Sequence, residues 1–139
     1  LGENRSSSKI QNDHINDFEN NRDSENSFEK MIAMAVKMKE SLLKGNVKNF
    51  ADLLHESWVL KRKMNPAVTN KNIEDCYQTA RKLGSLGGKL LGAGGSGYLL
   101  IYASPRYQKQ IKDALADKGV IQEIFKFSQN GLEVWSTNQ

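Results

Sequence analysis

Apolar residues recur at three- and four-residue intervals along most of the chain up to position 84. Phe28, Met31 and Ala35 begin the clearest run, and Gly45 supplies its stop. This period places apolar side chains on one face of a helix, and further stretches of the chain share it. The predicted helices cover residues 8–19, 28–44, 47–64, 70–83 and 108–118.

Residues at the predicted helix ends have the backbone preferences that such ends require. Pro66 disfavours helical geometry at Asn65, so the helix that begins at Val47 should end near Met64. Thr69 is the predicted N-cap of the helix that follows. The helix over 47–64 follows the helix over 28–44 at once, so it should pack back against it.

The last third of the chain contains the predicted strands. Residues 98–103 form a compact apolar run, and residues 120–128 and 132–136 alternate between apolar and polar positions. The Gln-Asn-Gly sequence at 129–131 is typical of a hairpin turn between the last two. Helices followed by strands with one crossover helix predict an α+β fold, with helices packed on one face of a small, mainly antiparallel sheet.

Length and composition fit one domain. The chain has 139 residues, 38% hydrophobic and 26% charged, with a mean hydropathy of −0.61. No apolar run approaches the roughly 20 residues of a membrane span, and the start lacks the order of a secretory signal. We therefore expect no membrane segment and a cytoplasmic location. Because the chain starts at Leu1 and not at a methionine, we expect it to be a piece of a longer polypeptide or a processed product.

The cysteine and histidine content and the charge distribution limit which bonds, metals and partners the chain can have. Cys76 is the only cysteine and the histidines are His14 and His55, so the sequence predicts neither an internal disulfide nor a zinc site. Residues 31–139 hold seven more basic than acidic residues, whereas residues 1–30 are acidic. This surplus favours an anionic partner. The basic residues are dispersed, so we expect no nucleic-acid partner.

Seven of the eleven glycines lie between positions 84 and 97. Gly92, Gly94 and Gly97 have the dinucleotide-binding spacing, but a strand follows where that fingerprint needs a helix. A P-loop needs Gly-Lys-Ser/Thr at its end, which is missing here. A protein-kinase glycine loop does lie between strands, yet the chain has no His-Arg-Asp and no Asp-Phe-Gly. All three assignments are excluded.

Two interpretations of the glycine segment stay open. Residues without Cβ let backbone N–H groups converge on an anion, and Lys89 adds a positive charge beside them. The alternative is that the glycines only allow tight packing of helix on sheet. For Lys89, neutralising charge and bracing the loop from outside are equally supported.

Residues 89–97, Lys-Leu-Leu-Gly-Ala-Gly-Gly-Ser-Gly, followed by an apolar strand, resemble the third signature motif of the GHMP kinase superfamily. Ser96 stands where that motif usually has glycine. Further segments resemble the sugar-kinase group that contains D-glycero-D-manno-heptose 7-phosphate kinase. They are residues 53–62, the long helix from Ile73, the two glycines ahead of the motif and the opening residues 2–8. The resemblance covers nearly the whole chain.

The resemblance implies that residues 1–139 are the C-terminal domain of an ATP- and Mg²⁺-dependent sugar kinase. Its own N-terminal domain would bind most of the nucleotide and the metal, and its acceptor would be a sugar phosphate. It also implies that this chain holds no catalytic residue and is inactive alone. The implied phosphate- and substrate-binding loop consists of Lys89, Gly92, Ala93, Gly94, Gly95, Ser96 and Gly97, and Arg5 and Ser7 are further implied sugar-phosphate contacts.

Other functions stay open at this point. One is a catalytically silent phosphate- or sugar-binding regulatory domain, another is a purely structural domain, and a third is a different branch such as galactokinase or mevalonate kinase. Outside the glycine segment, Trp58 is predicted to be core. Lys61 and Arg62 could bind a sugar phosphate, but a solvated basic face is the favoured interpretation. A sheet edge left open at the start of this chain would let two copies pair as a homo-oligomer.

Overall fold

The computed structural model describes residues 22–127 and residue 131, where helices pack against a two-stranded antiparallel sheet. In the register, Leu90 lies opposite Leu99, and Gly88 lies opposite Ile101. The α+β prediction is confirmed. In chain order the elements are α1 (Arg22–Leu43), α2 (Val47–Met64), a 3-10 turn (Pro66–Val68), α3 (Lys71–Lys82), β1 (Ser85–Leu90), β2 (Leu99–Ala103) and α4 (Pro105–Ala116).

Helix α1 packs back against α2, as the sequence predicts. The Nδ2 of Asn49 donates to the hydroxyl of Ser41 at 2.6 Å, which ties the two helices together near their connection. Ile32, Val36 and Leu43 on α1 stay exposed. None of the described helices, α1 included, combines the length and apolar character needed to cross a membrane.

The start of α3 differs by one residue from the prediction. Asn70 is the N-cap, because its side-chain oxygen accepts a hydrogen bond from the backbone N–H of Ile73 at 3.0 Å. Thr69 as the cap is therefore wrong, and its hydroxyl donates instead to the Glu74 carboxylate at 3.0 Å. Threonine and asparagine are both good N-caps. The sequence therefore predicts where this helix begins, but it does not show which of the two adjacent residues is the cap.

The described core has two clusters on either side of α3. Cys76 and Ala80 of α3 meet β2 and α4 in the second cluster. The buried Cys76 thiol acts as a small hydrophobe there, and burial raises its pKa. The core position predicted for Trp58 is confirmed, since its side chain is fully buried. The first cluster consists of Trp58, Val68, Ile73, Tyr77 and Leu90.

Strand β1 has no counterpart among the predicted elements. Its centre holds two glycines, which are poor strand formers, so the sequence pattern is more typical of a loop. The structure needs glycine there because α2 lies directly on the strand. A Cβ added at Gly87 would lie 1.9 Å from the carbonyl oxygen of Ala51. One of the glycine positions is therefore explained by helix–sheet packing.

The segment after α4 also differs from the prediction. Residues 120–127 form neither helix nor strand, so the strand predicted over 120–128 is wrong for that part. The backbone N–H of Val120 donates to Leu115 at 3.0 Å and so closes α4. An alternating pattern forms a strand only beside a partner edge, and this segment takes none. The predicted helix 8–19, the turn residues 129–130 and the strand 132–136 lie outside the described residues.

Candidate functional site

The glycine loop, defined as residues 91–98, connects β1 to β2 and lies against the 3-10 turn between α2 and α3. Its base is closed by the N–H of Leu91, which donates to the carbonyl of Tyr98 at 2.9 Å. Its centre is held by the N–H of Gly95, which donates to Val68 at 2.8 Å. The side chain of Asn70 in turn donates to the Gly95 carbonyl at 3.0 Å. The loop is therefore fixed to the helical layer by its backbone.

The centre of the glycine loop needs glycine for packing as well as for conformation. Gly94 and Gly95 have φ angles of +119° and +76°, values that other residues rarely adopt. A Cβ at Gly94 would lie 2.6 Å from the Cα of Val68. Gly95 is buried. These two positions favour the packing interpretation of the glycine segment.

The two ends of the loop are different, because they are open to solvent. Gly92 and Gly97 are exposed, with φ angles of +80° and +119°. A Cβ at Gly92 would meet nothing within 4 Å, and one at Gly97 would be in ordinary contact at 3.5 Å. Glycine is required there by the backbone conformation and leaves room for a ligand to approach. Ala93 and Ser96 are half-buried between them.

Ser96 is compatible with the loop conformation although the resembling motif usually has glycine. No non-glycine residue in the described part of the chain has a positive φ, so Ser96 avoids the left-handed region. A side chain at this position therefore introduces no backbone strain.

Two lysines lie at the glycine loop. Lys61, in the last turn of α2, donates from Nζ to the carbonyl oxygen of Gly92 at 2.8 Å. Burial and then the charge of Lys89 lower the pKa of Lys61, and burial lowers the pKa of Lys89 in β1. Lys61 is half-buried and bonded to the loop, a contact that the solvated role predicted for it does not include. Its spacing of three from Trp58, on the apolar stripe, is the signal that places it near the core.

Neither of these lysines has an acidic partner within the described residues. The ion pairs of this part of the chain use other basic side chains, which leaves Lys61 and Lys89 as an uncompensated positive pair at the loop. Those other side chains are Lys44, Lys48, Arg62, Lys109 and Lys118.

Arg62 is occupied inside the helical layer and does not belong to a solvated basic face. Its guanidinium forms a short ion pair with Glu74. It also lies over the rings of Trp58, at 5.5 Å from the centroid, and Tyr77, at 5.8 Å. The predicted solvated role of Arg62 is therefore wrong, and the residue joins α2 to α3.

We expect Arg62→Met to lower the free energy of unfolding by about 2 kcal/mol, because it leaves a half-buried Glu74 carboxylate without its charged partner. Urea unfolding of the two proteins measures this difference. In the double variant Arg62→Met/Glu74→Gln the loss should be smaller than in the single variant. An equal or greater loss would show that the ring contacts, and not the ion pair, carry the stability.

His55 is likewise used within the fold. Its Nδ1 lies 2.6 Å from the hydroxyl of Tyr77, with which it shares a hydrogen bond. Burial, followed by the charges of Arg81 and Arg62, lowers the pKa of His55, which favours a neutral ring at pH 7. His55 thus has a structural partner in α3.

Arg5 and Ser7, the further contacts implied by the resemblance, lie outside the described residues. Their role stays a prediction. Of the predicted site residues, 92–97 lie in the glycine loop and Lys89 lies in β1 just before it, and Lys61 is added by its bond to Gly92.

A family model for the C-terminal part of GHMP kinases matches residues 38–121, more than half of the chain. The chain belongs to the GHMP kinase family. This GHMP kinase C-terminal domain is 32% identical over 115 residues to D-glycero-alpha-D-manno-heptose 7-phosphate kinase from Campylobacter jejuni. That match covers 80% of the chain and 34% of the relative.

Two further relatives have other kinase names. The bifunctional fucokinase/GDP-fucose pyrophosphorylase of Arabidopsis thaliana is 26% identical over 110 residues, which cover 79% of the chain and 10% of that protein. The mevalonate kinase of Thermococcus sibiricus is 33% identical over 67 residues, which cover 48% of the chain and 20% of that protein. The relatives of the domain are therefore kinases of sugars and of mevalonate.

A solved structure shares the fold of the GHMP kinase C-terminal domain. It is the crystal structure of L. major mevalonate kinase in complex with R-mevalonate, with a TM-score of 0.74 and 25% sequence identity. The match covers 84% of this chain and 36% of that one. The chain thus spans about a third of the length of this mevalonate kinase and of the heptose phosphate kinase.

Proposed function

We propose that this chain is the C-terminal domain of an ATP-dependent sugar kinase that transfers the γ-phosphate to a hydroxyl of a sugar phosphate. D-glycero-D-manno-heptose 7-phosphate is the leading acceptor, and the heptose phosphate kinase relative supports it. The observation that carries the proposal is the glycine loop, which is fixed by its backbone, open at Gly92 and Gly97, and flanked by two lysines without a carboxylate partner among the described residues.

The part of this domain in phosphoryl transfer is positioning and charge. ATP supplies the phosphoryl group, and most of the catalysis of such a reaction comes from placing the reactants and stabilising the charge that develops on the phosphoryl oxygens. The glycine loop would form one wall of the cleft, where bare backbone lets the ligand approach. Lys89 would contribute positive charge. The catalytic base is assigned to the N-terminal domain of the complete kinase.

The described residues fit a phosphate better than they fit a metal ion. Lys61 and Lys89 lie at the exposed end of the loop and are not neutralised by any carboxylate of the described region. In the same region, no group of three or more His, Cys, Asp or Glu side chains is placed to hold a metal. We therefore assign Mg²⁺ mainly to the N-terminal domain, together with most of the ATP contacts. A cytoplasmic location and pairing of isolated copies stay predictions.

The test is a kinase assay of the full-length protein that carries this chain. ADP release is measured with ATP, Mg²⁺ and, in turn, heptose 7-phosphate, fucose, galactose and mevalonate. We expect turnover with the sugar phosphate and none from residues 1–139 alone. Turnover of mevalonate or galactose only would move the protein to another branch of the family. No turnover of any acceptor would favour a silent binding domain.

A further inference from the structure

We propose that Lys61 and Lys89 together form a subsite that binds the phosphate group of a phosphorylated ligand at the open end of the glycine loop. The inference rests on the proposed function and deepens it. It adds Lys61, which lies 28 positions before Lys89 and outside the glycine motif, to the residues that recognise the ligand. The phosphate dianion belongs either to the acceptor sugar or to the nucleotide, and these two sources give different kinetic results.

Two lysines from separate elements lie beside the start of the loop, one bonded to Gly92 and the other two residues before Leu91 in the chain. Lys61 comes from the last turn of α2 and Lys89 from β1. Only one donor of the Lys61 ammonium is needed for the solvent-exposed bond of 2.8 Å to the Gly92 carbonyl. An ammonium group has three donors, so two are left for a ligand. Because Lys61 holds Gly92, an anion bound by this lysine is also placed beside the loop backbone.

The charges are unfavourable without an anion. Both lysines are half-buried, and burial followed by the charge of Lys89 lowers the pKa of Lys61. Two like charges in a partly desolvated place raise the free energy of the folded chain unless a counter-charge is present. The described part of the chain supplies no such carboxylate, although it pairs five other basic side chains. A phosphate dianion would supply the missing counter-charge.

The neighbouring basic residues of α2 do not compete for this role. Arg62 is bound to Glu74 and stacked over two aromatic rings. Lys63 is exposed and has no bond to the loop among the contacts of the described residues. Lys63 therefore makes a matched control, because its loss removes the same charge from the same helix turn.

The experiment compares Lys61→Met, Lys89→Met and the control Lys63→Met in the full-length protein. Isothermal titration with inorganic phosphate gives the affinity of the subsite without any need for turnover. We expect the first two variants to weaken phosphate binding by about tenfold each, as the loss of a hydrogen bond to a charged group predicts, and the control to change it less than twofold. Lys61→Arg should retain most of the affinity, which also shows that the site survives substitution.

Steady-state kinetics then identify the source of the phosphate. A higher KM for the sugar phosphate at unchanged KM for ATP assigns the subsite to the acceptor, and the reverse assigns it to the nucleotide. Wild-type affinity for phosphate in both methionine variants overturns the proposal. So does weakening in Lys61→Met alone, since Lys61 would then only tether Gly92. A protein that binds phosphate at this pair but turns over no acceptor would refute the proposed function and leave the subsite intact.

Discussion

Gly87→Ala should unfold this domain or lower its free energy of unfolding by at least about 3 kcal/mol. The added Cβ would lie 1.9 Å from the carbonyl oxygen of Ala51. That atom belongs to the backbone of α2, so a side-chain rotation cannot relieve the overlap. The helix must move away from β1, and Trp58 and its neighbours in the core move with it. Overpacking of this kind costs at least as much as the larger core substitutions.

Urea unfolding followed by far-ultraviolet circular dichroism measures the effect in the full-length protein. The control is Gly45→Ala, at the turn between α1 and α2. Gly45 has a φ of +68° but nothing within 4 Å of an added Cβ, so backbone strain alone should cost about 1–2 kcal/mol. If the two variants lose equal stability, the close contact of α2 with β1 does not hold the fold together as described.

The helical part of this fold is readable from the sequence because each signal is local. The observed α2, Val47–Met64, has the bounds that the apolar period and Pro66 predict. Strand β2, Leu99–Ala103, lies within the predicted run. In α2 the stripe residues Leu54 and Trp58 are buried, and in β2 the apolar run is half-buried and ends at the buried Ala103, so the local pattern agrees with the tertiary structure.

The sequence-based predictions fail where a contact between distant parts of the chain, and not the local residue pattern, determines the structure. Strand β1 is rich in glycine because α2 approaches it, a fact that appears only once both elements are in place. The segment 120–127 has the alternation of a strand and no partner edge among the described residues. Lys61 looks like one charge in a basic run, and its role depends on Gly92, which is 31 positions away.

The candidate site was predictable from the sequence only in those features that depend on local backbone conformation. The positive φ angles of Gly92 and Gly97 are a backbone property that the glycine-rich sequence signals directly. The division of the loop into a packed centre and open ends is not local, because Val68 of the 3-10 turn creates it. The packing interpretation therefore holds at Gly94, and the anion-binding interpretation stays a prediction for the open ends of the loop.

Gly94→Ala and Gly92→Ala should separate packing from ligand binding in the full-length kinase. At Gly94 the added Cβ lies 2.6 Å from the Cα and Cβ of Val68, and φ is +119°. We expect a loss of about 3 kcal/mol in the free energy of unfolding, since overpacking adds to backbone strain. At Gly92 the space is open and φ is +80°, so the loss should be about 1–2 kcal/mol. Urea unfolding measures both losses.

Activity should follow the opposite order once it is corrected for the folded fraction. Gly92 lies at the exposed end of the loop, where its carbonyl accepts the bond from Lys61 and where we place the phosphate. A methyl group there would crowd the ligand, so we expect kcat/KM of folded Gly92→Ala to fall by at least about tenfold, the effect of roughly 1.4 kcal/mol. Folded Gly94→Ala should keep a larger share of its activity, because its Cβ faces Val68 and not the ligand. Full activity in Gly92→Ala at normal stability would place the ligand elsewhere on the domain, since a side chain at the open end of the loop would then obstruct nothing.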